Sequence, residues 1–125
     1  MIWSAIGAAL MALGVMLGAF GAHALKERLD AYSMDVYQKA VFYHFIHALG
    51  ILIVSTLRMT GALKDSACTT VCALLLAGIL LFSGSLYLLA VTGSRGLGAV
   101  TPFGGLAFIA AWLLLAYRLL RSTLK

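Results

Sequence analysis

Charge is what this sequence has least of. Only 10% of its 125 residues are Asp, Glu, Lys or Arg, whereas 63% are hydrophobic. Soluble domains carry about 25% charged residues, and a domain of this size buries only about two thirds of the surface of its unfolded chain. Such a fold could not hide so much apolar area. The scarcity of charge therefore excludes an ordinary soluble domain and favours a membrane protein.

Cysteine and proline are also scarce, with two Cys and one Pro in the chain. Two cysteines do not make a disulfide scaffold, and no Cys/His spacing typical of a zinc finger is present. Cys68 and Cys72 lie one helical turn apart and could act in redox chemistry, but the pattern favours small apolar residues inside a helix bundle. We therefore expect no bound metal and no cofactor.

The charges that are present have a net value of +5, from nine Lys and Arg against four acids. They stand at the ends of apolar segments, where basic side chains reach toward lipid headgroups. This placement predicts the lipid bilayer as a partner and no nucleic acid. The sequence leaves open a homo-oligomer or a small membrane partner.

Four long apolar segments occupy most of the chain, at about 2–24, 40–57, 67–92 and 103–120. About 20 apolar residues are needed for a helix to cross the hydrocarbon core. Only helices and closed barrels satisfy their backbone hydrogen bonds in lipid. These runs lack the alternation of apolar and polar residues that is typical of barrel strands. The sequence predicts an all-α membrane bundle of four transmembrane helices, forming a single domain over 1–125. Thr101 is expected to cap the fourth helix, with Pro102 in its first turn.

The segment between the first two helices, 25–39, has an amphipathic pattern. Leu25, Leu29, Tyr32 and Val36 recur at helical spacing. This favours a short helix lying in the membrane interface, and the alternative is a solvated loop.

The first apolar segment ends in Ala22-His23-Ala24, a small-x-small pattern that signal peptidases read. The run before it is about 20 residues, against about 7–15 for the apolar part of a signal peptide. No Lys or Arg precedes the run. We therefore expect an uncleaved first helix.

Orientation rests on the basic residues of the loops. One side of a four-span protein would hold five of them and the other four: Arg58, Lys64, Arg118, Arg121 and Lys125 against Lys26, Arg28, Lys39 and Arg95. The bias predicts that both termini are cytoplasmic.

Small residues gather near one face of the first segment: Gly7, Gly14, Gly18, Gly21 and Ala22. Lipid tails are as apolar as leucine, so helices in membranes associate through close backbone approach at such residues. The face could form a dimer or a groove against another helix of the same chain. The second interpretation is favoured, since three other helices are available.

Polar side chains at membrane depth form a candidate cluster: His23, Tyr43, His44, His47, Ser83 and Ser85. Ionisable residues inside a membrane call for a functional hypothesis. The favoured one is structural, with neutral histidines bonded to backbone carbonyls or hydroxyls. The alternatives are a proton or solute path and, more weakly, a metal or haem site, which lacks acidic or thiolate partners at that depth.

No catalytic constellation is visible. The chain shows no nucleophile beside a base and an orienting group, and "GSRGLG" lacks the Gly-Lys-Ser/Thr ending of a phosphate loop. The sequence predicts a non-enzymatic membrane protein whose polar motifs serve helix packing. The alternatives are a small-solute, ion or proton transporter or channel component that uses His23, His44 and His47, and a haem- or metal-binding redox subunit.

Four blocks carry a resemblance that covers nearly the whole chain: "GAFGAHALK", "YHFIHALG", "LFSGSLY" and "TPFGGLAFIAAW". In order and spacing they resemble the YgdD-like family of small bacterial inner-membrane proteins, domain-of-unknown-function family four-two-three. The resemblance implies a multi-pass protein of four helices in the bacterial inner (plasma) membrane. It implies no activity, and it makes the three histidines part of a family pattern.

Overall fold

The computed structural model describes residues 1–124, and the long elements within them are helices. The elements are α1 (Ile2–Phe20) with a π-helical turn at Gly21–Leu25, α2 (Ala31–Met59), α3 (Asp65–Gly78), a π-helical turn at Ile79–Ser83, α4 (Gly84–Thr92), a 3₁₀ helix at Arg95–Ala99, and α5 (Thr101–Thr123). α3, its π turn and α4 form one continuous rod. Four helical rods are long and apolar enough to cross a membrane: Ile2–Leu25, Ala31–Met59, Asp65–Thr92 and Arg95–Ser122. The predicted all-α bundle of four transmembrane helices is confirmed. Lys125, which the orientation argument counted, lies outside the described residues.

The second rod, α2, is central to the bundle. It packs against α1 on one side and against α3 and α4 on another, while α3 and α5 pack on each other. Its buried residues recur every three or four positions, which is one face of a helix: Ala40, His44, His47, Ala48, Ile51, Val54 and Ser55. Ile51 and Val54 belong to the main core, together with Val71 and Leu75 of α3.

Cys68 and Cys72 are wholly buried in that core. Their sulfur atoms lie 4.0 Å apart, and each faces a backbone carbonyl of α2 at 3.8–3.9 Å. Both are free thiols. They fill the space between α3 and α2, as small core residues do.

The separate interfacial helix expected over 25–39 is absent from the described residues. Residues 31–39 are instead the first turns of α2, which runs unbroken to Met59. The helix starts early because the Asp30 carboxylate accepts a hydrogen bond from the Ser33 N–H at 2.7 Å, a typical N-cap. The same hydrogen bond lowers the pKa of Asp30. Val36 and Tyr37 are buried within the protein, so this end of α2 packs against the rest of the bundle.

The start of α5 also differs from expectation. Thr101 is itself the first helical residue, and the residue before it, Val100, has helical backbone angles. The Thr101 hydroxyl lies 2.7 Å from the Ser85 hydroxyl of α4. It links two helices instead of capping one, because the 3₁₀ helix leads the chain into α5 without an extended residue. Pro102 stands in the first turn, as predicted.

Glycines bring α1 close to α2. A Cβ atom added to Gly7 would lie 2.9 Å from the Leu52 side chain, and one added to Gly14 would lie 3.0 Å from the Phe45 ring. One added to Gly21 would collide with the ring of Tyr37. These three glycines are seven residues apart, close to two helical turns, so they meet the same neighbour. Their common face is covered by α2 of the same chain.

Two other members of the small-residue set are placed more loosely. A Cβ atom on Gly18 would lie 3.6 Å from the nearest atom of Val41, which is an ordinary van der Waals distance. Ala22 is exposed. The close approach therefore depends on Gly7, Gly14 and Gly21.

The last two rods interlock through reciprocal glycine–phenylalanine contacts. Gly78 of α3 faces the ring of Phe108 on α5, and Gly104 of α5 faces the backbone of Phe82 in the π turn Ile79–Ser83. Neither glycine leaves room for a methyl group, since added Cβ atoms would stand within 3.0 Å of their neighbours.

Candidate functional site

His44 is the most deeply buried of the three histidines, at 1% exposure. It lies on the buried face of α2 and reaches helices on both sides. Its Nε2 atom is 2.8 Å from the carbonyl oxygen of Leu10 on α1, and its Nδ1 atom is 3.0 Å from the hydroxyl of Tyr87 on α4. We call this arrangement of Leu10, His44 and Tyr87 the His44 network.

The chemistry of the partners sets the hydrogen positions in the His44 network. A carbonyl oxygen can only accept, so Nε2 carries the imidazole hydrogen and donates it to Leu10. The other nitrogen of the neutral ring is then an acceptor, and Tyr87 donates its hydroxyl hydrogen to it. Both ring nitrogens are thus occupied, and three rods are tied together through one side chain.

Two further polar contacts join α1 to α2. Tyr37 donates its hydroxyl hydrogen to the carbonyl oxygen of Leu17, and the hydroxyls of Ser4 and Ser55 lie 2.6 Å apart. With the His44 contact they occur at three heights along the helix pair. They fix the register of α1, which packs mainly on α2.

His47 is buried, at 5% exposure, and faces α5 instead of α1. Its Nδ1 atom donates to the Tyr43 carbonyl oxygen one turn earlier at 2.7 Å. The imidazole stacks on the Phe108 ring, with centroids 3.4 Å apart and planes 13° from parallel. Among the described residues, Nε2 of His47 makes no hydrogen bond. His44 and His47 therefore serve different neighbours although they share the buried half of α2.

The two serines of "LFSGSLY", Ser83 and Ser85, differ in the hydrogen bonding of their hydroxyl groups. Ser85 donates to the Phe82 carbonyl oxygen at 2.9 Å and also contacts Thr101. Ser83 is wholly buried, and its hydroxyl oxygen has no hydrogen-bond partner among the described residues. Ser83 closes the π turn, where the Gly84 amide bonds to Ile79. The π turn and the orphaned hydroxyl coincide, and π turns occur frequently at functional sites.

Serine-to-alanine variants at these two positions should behave in opposite ways. Ser83→Ala is expected to leave stability unchanged or to raise it by up to about 1 kcal/mol, because an unsatisfied buried hydroxyl is costly. Ser85→Ala should lower stability by about 1 kcal/mol, because Thr101 loses its partner across the helices. Thermal unfolding of both variants in the same detergent measures the difference. A larger loss at Ser83 would show that its hydroxyl binds a water or solute.

His23 does not join the other candidates, whereas Tyr43 joins them through His47, whose ring lies nearly parallel to its own at 5.9 Å. His23 is exposed, in the π turn after α1. His44 lies level with Leu10, and the 13 residues from Leu10 to His23 amount to about 20 Å along a helix. Tyr43 is 37% exposed and contributes its carbonyl oxygen, while its ring packs on Phe82 at 4.5 Å. Within residues 1–124, no group of three or more His, Cys, Asp or Glu could hold a metal ion.

Sequence reasoning did not assign Tyr87, Tyr37 and Thr101 to the candidate site. The two tyrosines lie at helical spacing from predicted candidates: Tyr87 is one turn beyond Ser83, and Tyr37 is two turns before His44 on the same face of α2. Buried tyrosine hydroxyls usually find a hydrogen-bond partner. A search for polar aromatic residues on the buried faces would have found both tyrosines.

Comparison with known proteins places the chain among small membrane proteins. The family model described as protein of unknown function (DUF423) matches residues 17–105. A UPF0382 membrane protein of Staphylococcus haemolyticus is 44% identical over 88% of each chain. The UPF0382 membrane protein YwdK of Bacillus subtilis is 45% identical over 88% of this chain and 89% of its own. No solved structure matches the chain.

Proposed function

We propose that this protein is non-enzymatic and that its buried polar side chains hold its helices together. The chain belongs to DUF423, a family of small membrane proteins. The observation that carries this proposal is the His44 network. Both nitrogens of the imidazole are satisfied by groups of the protein itself. Such a side chain acts as a clamp between rods and leaves no ring nitrogen for a ligand.

The energetic argument supports the same role. A polar group left unpaired in an apolar interior costs about 1–3 kcal/mol, whereas hydrogen bonds between membrane helices average about 0.6 kcal/mol and reach about 1.7. Each contact contributes little by itself, but together they favour the arrangement of the rods in which the polar groups of Ser55, Tyr37 and His44 are paired. Buried polar networks of this kind specify a structure more than they stabilise it.

A second candidate function is a path for protons or a small solute. It is favoured by the unpaired Ser83 hydroxyl and by the Nε2 atom of His47, two polar atoms without partners at depth within the described chain. Four helices in one copy can hardly enclose a wide pore, so transport would require an oligomer. A haem or metal site is less well supported, because His44 has no free nitrogen and His47 has only one.

Proton flux into proteoliposomes separates the two functions. Vesicles containing the protein and a trapped pH-sensitive dye are given a pH gradient and a potassium diffusion potential. The packing proposal expects the same leak as in protein-free vesicles, for the parent and for His47→Phe alike. A leak that the parent shows and His47→Phe abolishes, with Ile53→Ala on the exposed face of α2 as the control, would contradict packing as the sole role.

We also propose that the protein resides in the bacterial inner membrane with both termini in the cytoplasm. The N-terminus, the turn at 60–64 and the end of α5 share one end of the bundle. With Lys125 counted from the sequence, five basic residues are assigned to that end against four to the other. The difference is a single residue, so labelling must decide the orientation.

Cysteine labelling in intact cells tests the orientation. In a background in which Cys68 and Cys72 are replaced by Ala, Glu27→Cys should react with a membrane-impermeant maleimide. Ser122→Cys should react only after the membrane is permeabilised. Both sites are exposed, so the reverse pattern of reactivity would refute cytoplasmic termini.

A further inference from the structure

A basic pocket lies at the end of the bundle that holds the turn between α2 and α3. Its volume is about 330 Å³, within the range of pockets that bind small ligands. Three cationic side chains line it: Lys64 before α3, and Arg118 and Arg121 on the last turns of α5. Leu63 and Ala67, both buried, supply an apolar floor.

The charge of this pocket is not neutralised by the described part of the chain. Among the side chains that the structure describes, those of Lys64 and Arg118 form no ion pair or hydrogen bond. Asp65 stands beside Lys64 but pairs with Arg58. The other three acids of the chain, Glu27, Asp30 and Asp35, belong to the 26–39 region, about 40 Å away along α2.

Arg121 is held in place by its own helix. Its Nη1 atom donates to the Tyr117 hydroxyl at 3.1 Å, and its guanidinium carbon lies 5.7 Å from the centre of that ring. Tyr117 and Leu113 precede it at four-residue spacing, so the three share one face of α5. Tyr117 is 51% exposed and Leu113 67% exposed. A cationic site thus continues into an open apolar track along the helix.

We propose that this pocket binds an anionic phospholipid, with the headgroup phosphate between Lys64 and Arg118 and an acyl chain along Tyr117 and Leu113. Charge complementarity selects an anion, and the pocket stands where α2 ends and α3 begins, at the level of the headgroups. Basic pockets between transmembrane helices bind anionic lipid headgroups in this way. The apolar track selects a lipid over a free phosphate. This inference is independent of the packing role proposed for the His44 network.

The test compares two double variants that lose the same charge. Lys64→Gln/Arg118→Gln removes two cations of the pocket. Arg28→Gln/Arg95→Gln removes two exposed cations from the opposite end. Binding is measured in mixed micelles by native mass spectrometry and by the rise in the unfolding midpoint. The probes are dioleoyl phosphatidylglycerol, dioleoyl phosphatidylcholine and inorganic phosphate.

Phosphatidylglycerol should bind the parent and the control variant with similar affinity. The pocket variant should bind it about 25-fold more weakly, at about fivefold for each cation removed. Its lipid-free unfolding midpoint should equal that of the parent. If the double variant does not fold, Arg118→Gln alone, with an expected loss of about fivefold, carries the test.

Three results would overturn the proposal. If both double variants lost the same affinity for phosphatidylglycerol, the lipid would be attracted by the overall surface charge and not by this pocket. Equal binding of phosphatidylcholine would show that the anion is not recognised. An equal rise in the unfolding midpoint with inorganic phosphate would make the ligand a free anion instead of a lipid.

Discussion

Gly104→Ala is expected to destabilise the protein by about 3 kcal/mol, the upper part of the usual range for overpacking. A Cβ atom at this position would lie 2.7 Å from Cβ of Phe82 and 2.8 Å from its Cα, and closer still to its backbone nitrogen. A flexible side chain could rotate away from such a contact, but the backbone of the π turn cannot. The rods that contain Phe82 and Gly104 must move apart, and their shared contacts weaken.

The neighbouring glycine provides the matched control. A Cβ atom on Gly105 would lie 3.8 Å from the nearest atom of the Phe82 ring, which is an ordinary contact. Gly105→Ala should be neutral or stabilising by up to about 1 kcal/mol, because alanine is the better helix former. Thermal and denaturant-induced unfolding of both variants in one detergent measures the difference. Equal stability of the two variants would contradict the close approach of Gly104 to Phe82.

Removing the central histidine should have a comparable effect. His44→Ala is expected to lower the free energy of unfolding by about 2–4 kcal/mol, since it empties a buried site and leaves the Tyr87 hydroxyl without its acceptor. His23→Ala should change it by less than about 0.5 kcal/mol, because that side chain is exposed. Unfolding monitored by circular dichroism compares the two. An unchanged free energy of unfolding in His44→Ala would contradict the proposed role of His44 in holding the rods together.

A double-mutant cycle isolates the contact between His44 and Tyr87. His44→Leu leaves the tyrosine hydroxyl unpaired, and Tyr87→Phe leaves the acceptor nitrogen unpaired. The double variant leaves neither orphan, so its loss should be smaller than the sum of the two single losses by about 0.5–2 kcal/mol. Strict additivity would show that the two side chains do not interact.

The helical rods were predictable because lipid imposes a strong local rule. Because every backbone group must be paired within its own segment, length and apolarity are enough to predict each helix. The four predicted segments all lie within the rods. The boundaries were less predictable. α2 extends back to Ala31 through Tyr32, Asp35 and Lys39, because the N-cap at Asp30 and the ion pair between Lys39 and Asp35 at 2.7 Å support helix where hydropathy is low.

The polar candidates were predictable as positions but not as partners. A histidine in an apolar run is conspicuous in any sequence, and the idea of bonding to backbone carbonyls agrees with the contacts of both His44 and His47. The choice of Leu10 as acceptor, and of Tyr87 instead of Tyr43 or the serines, depends on which rods lie side by side. Local sequence carries no information about that arrangement.

The sequence by itself determined the class of protein, the number of helical rods and which side chains would be unusual at depth. These properties follow from the solvent, because hydrocarbon requires each rod to satisfy its own backbone and makes every buried polar group conspicuous. The tertiary structure decided which glycines contact a neighbouring helix closely, which buried hydroxyl lacks a hydrogen-bond partner and which three cationic side chains line one pocket. Those outcomes depend on the heights and rotations of packed helices, and a shift along α5 that brought Phe103 to the place of Gly104 would put a side chain there that cannot fit against Phe82.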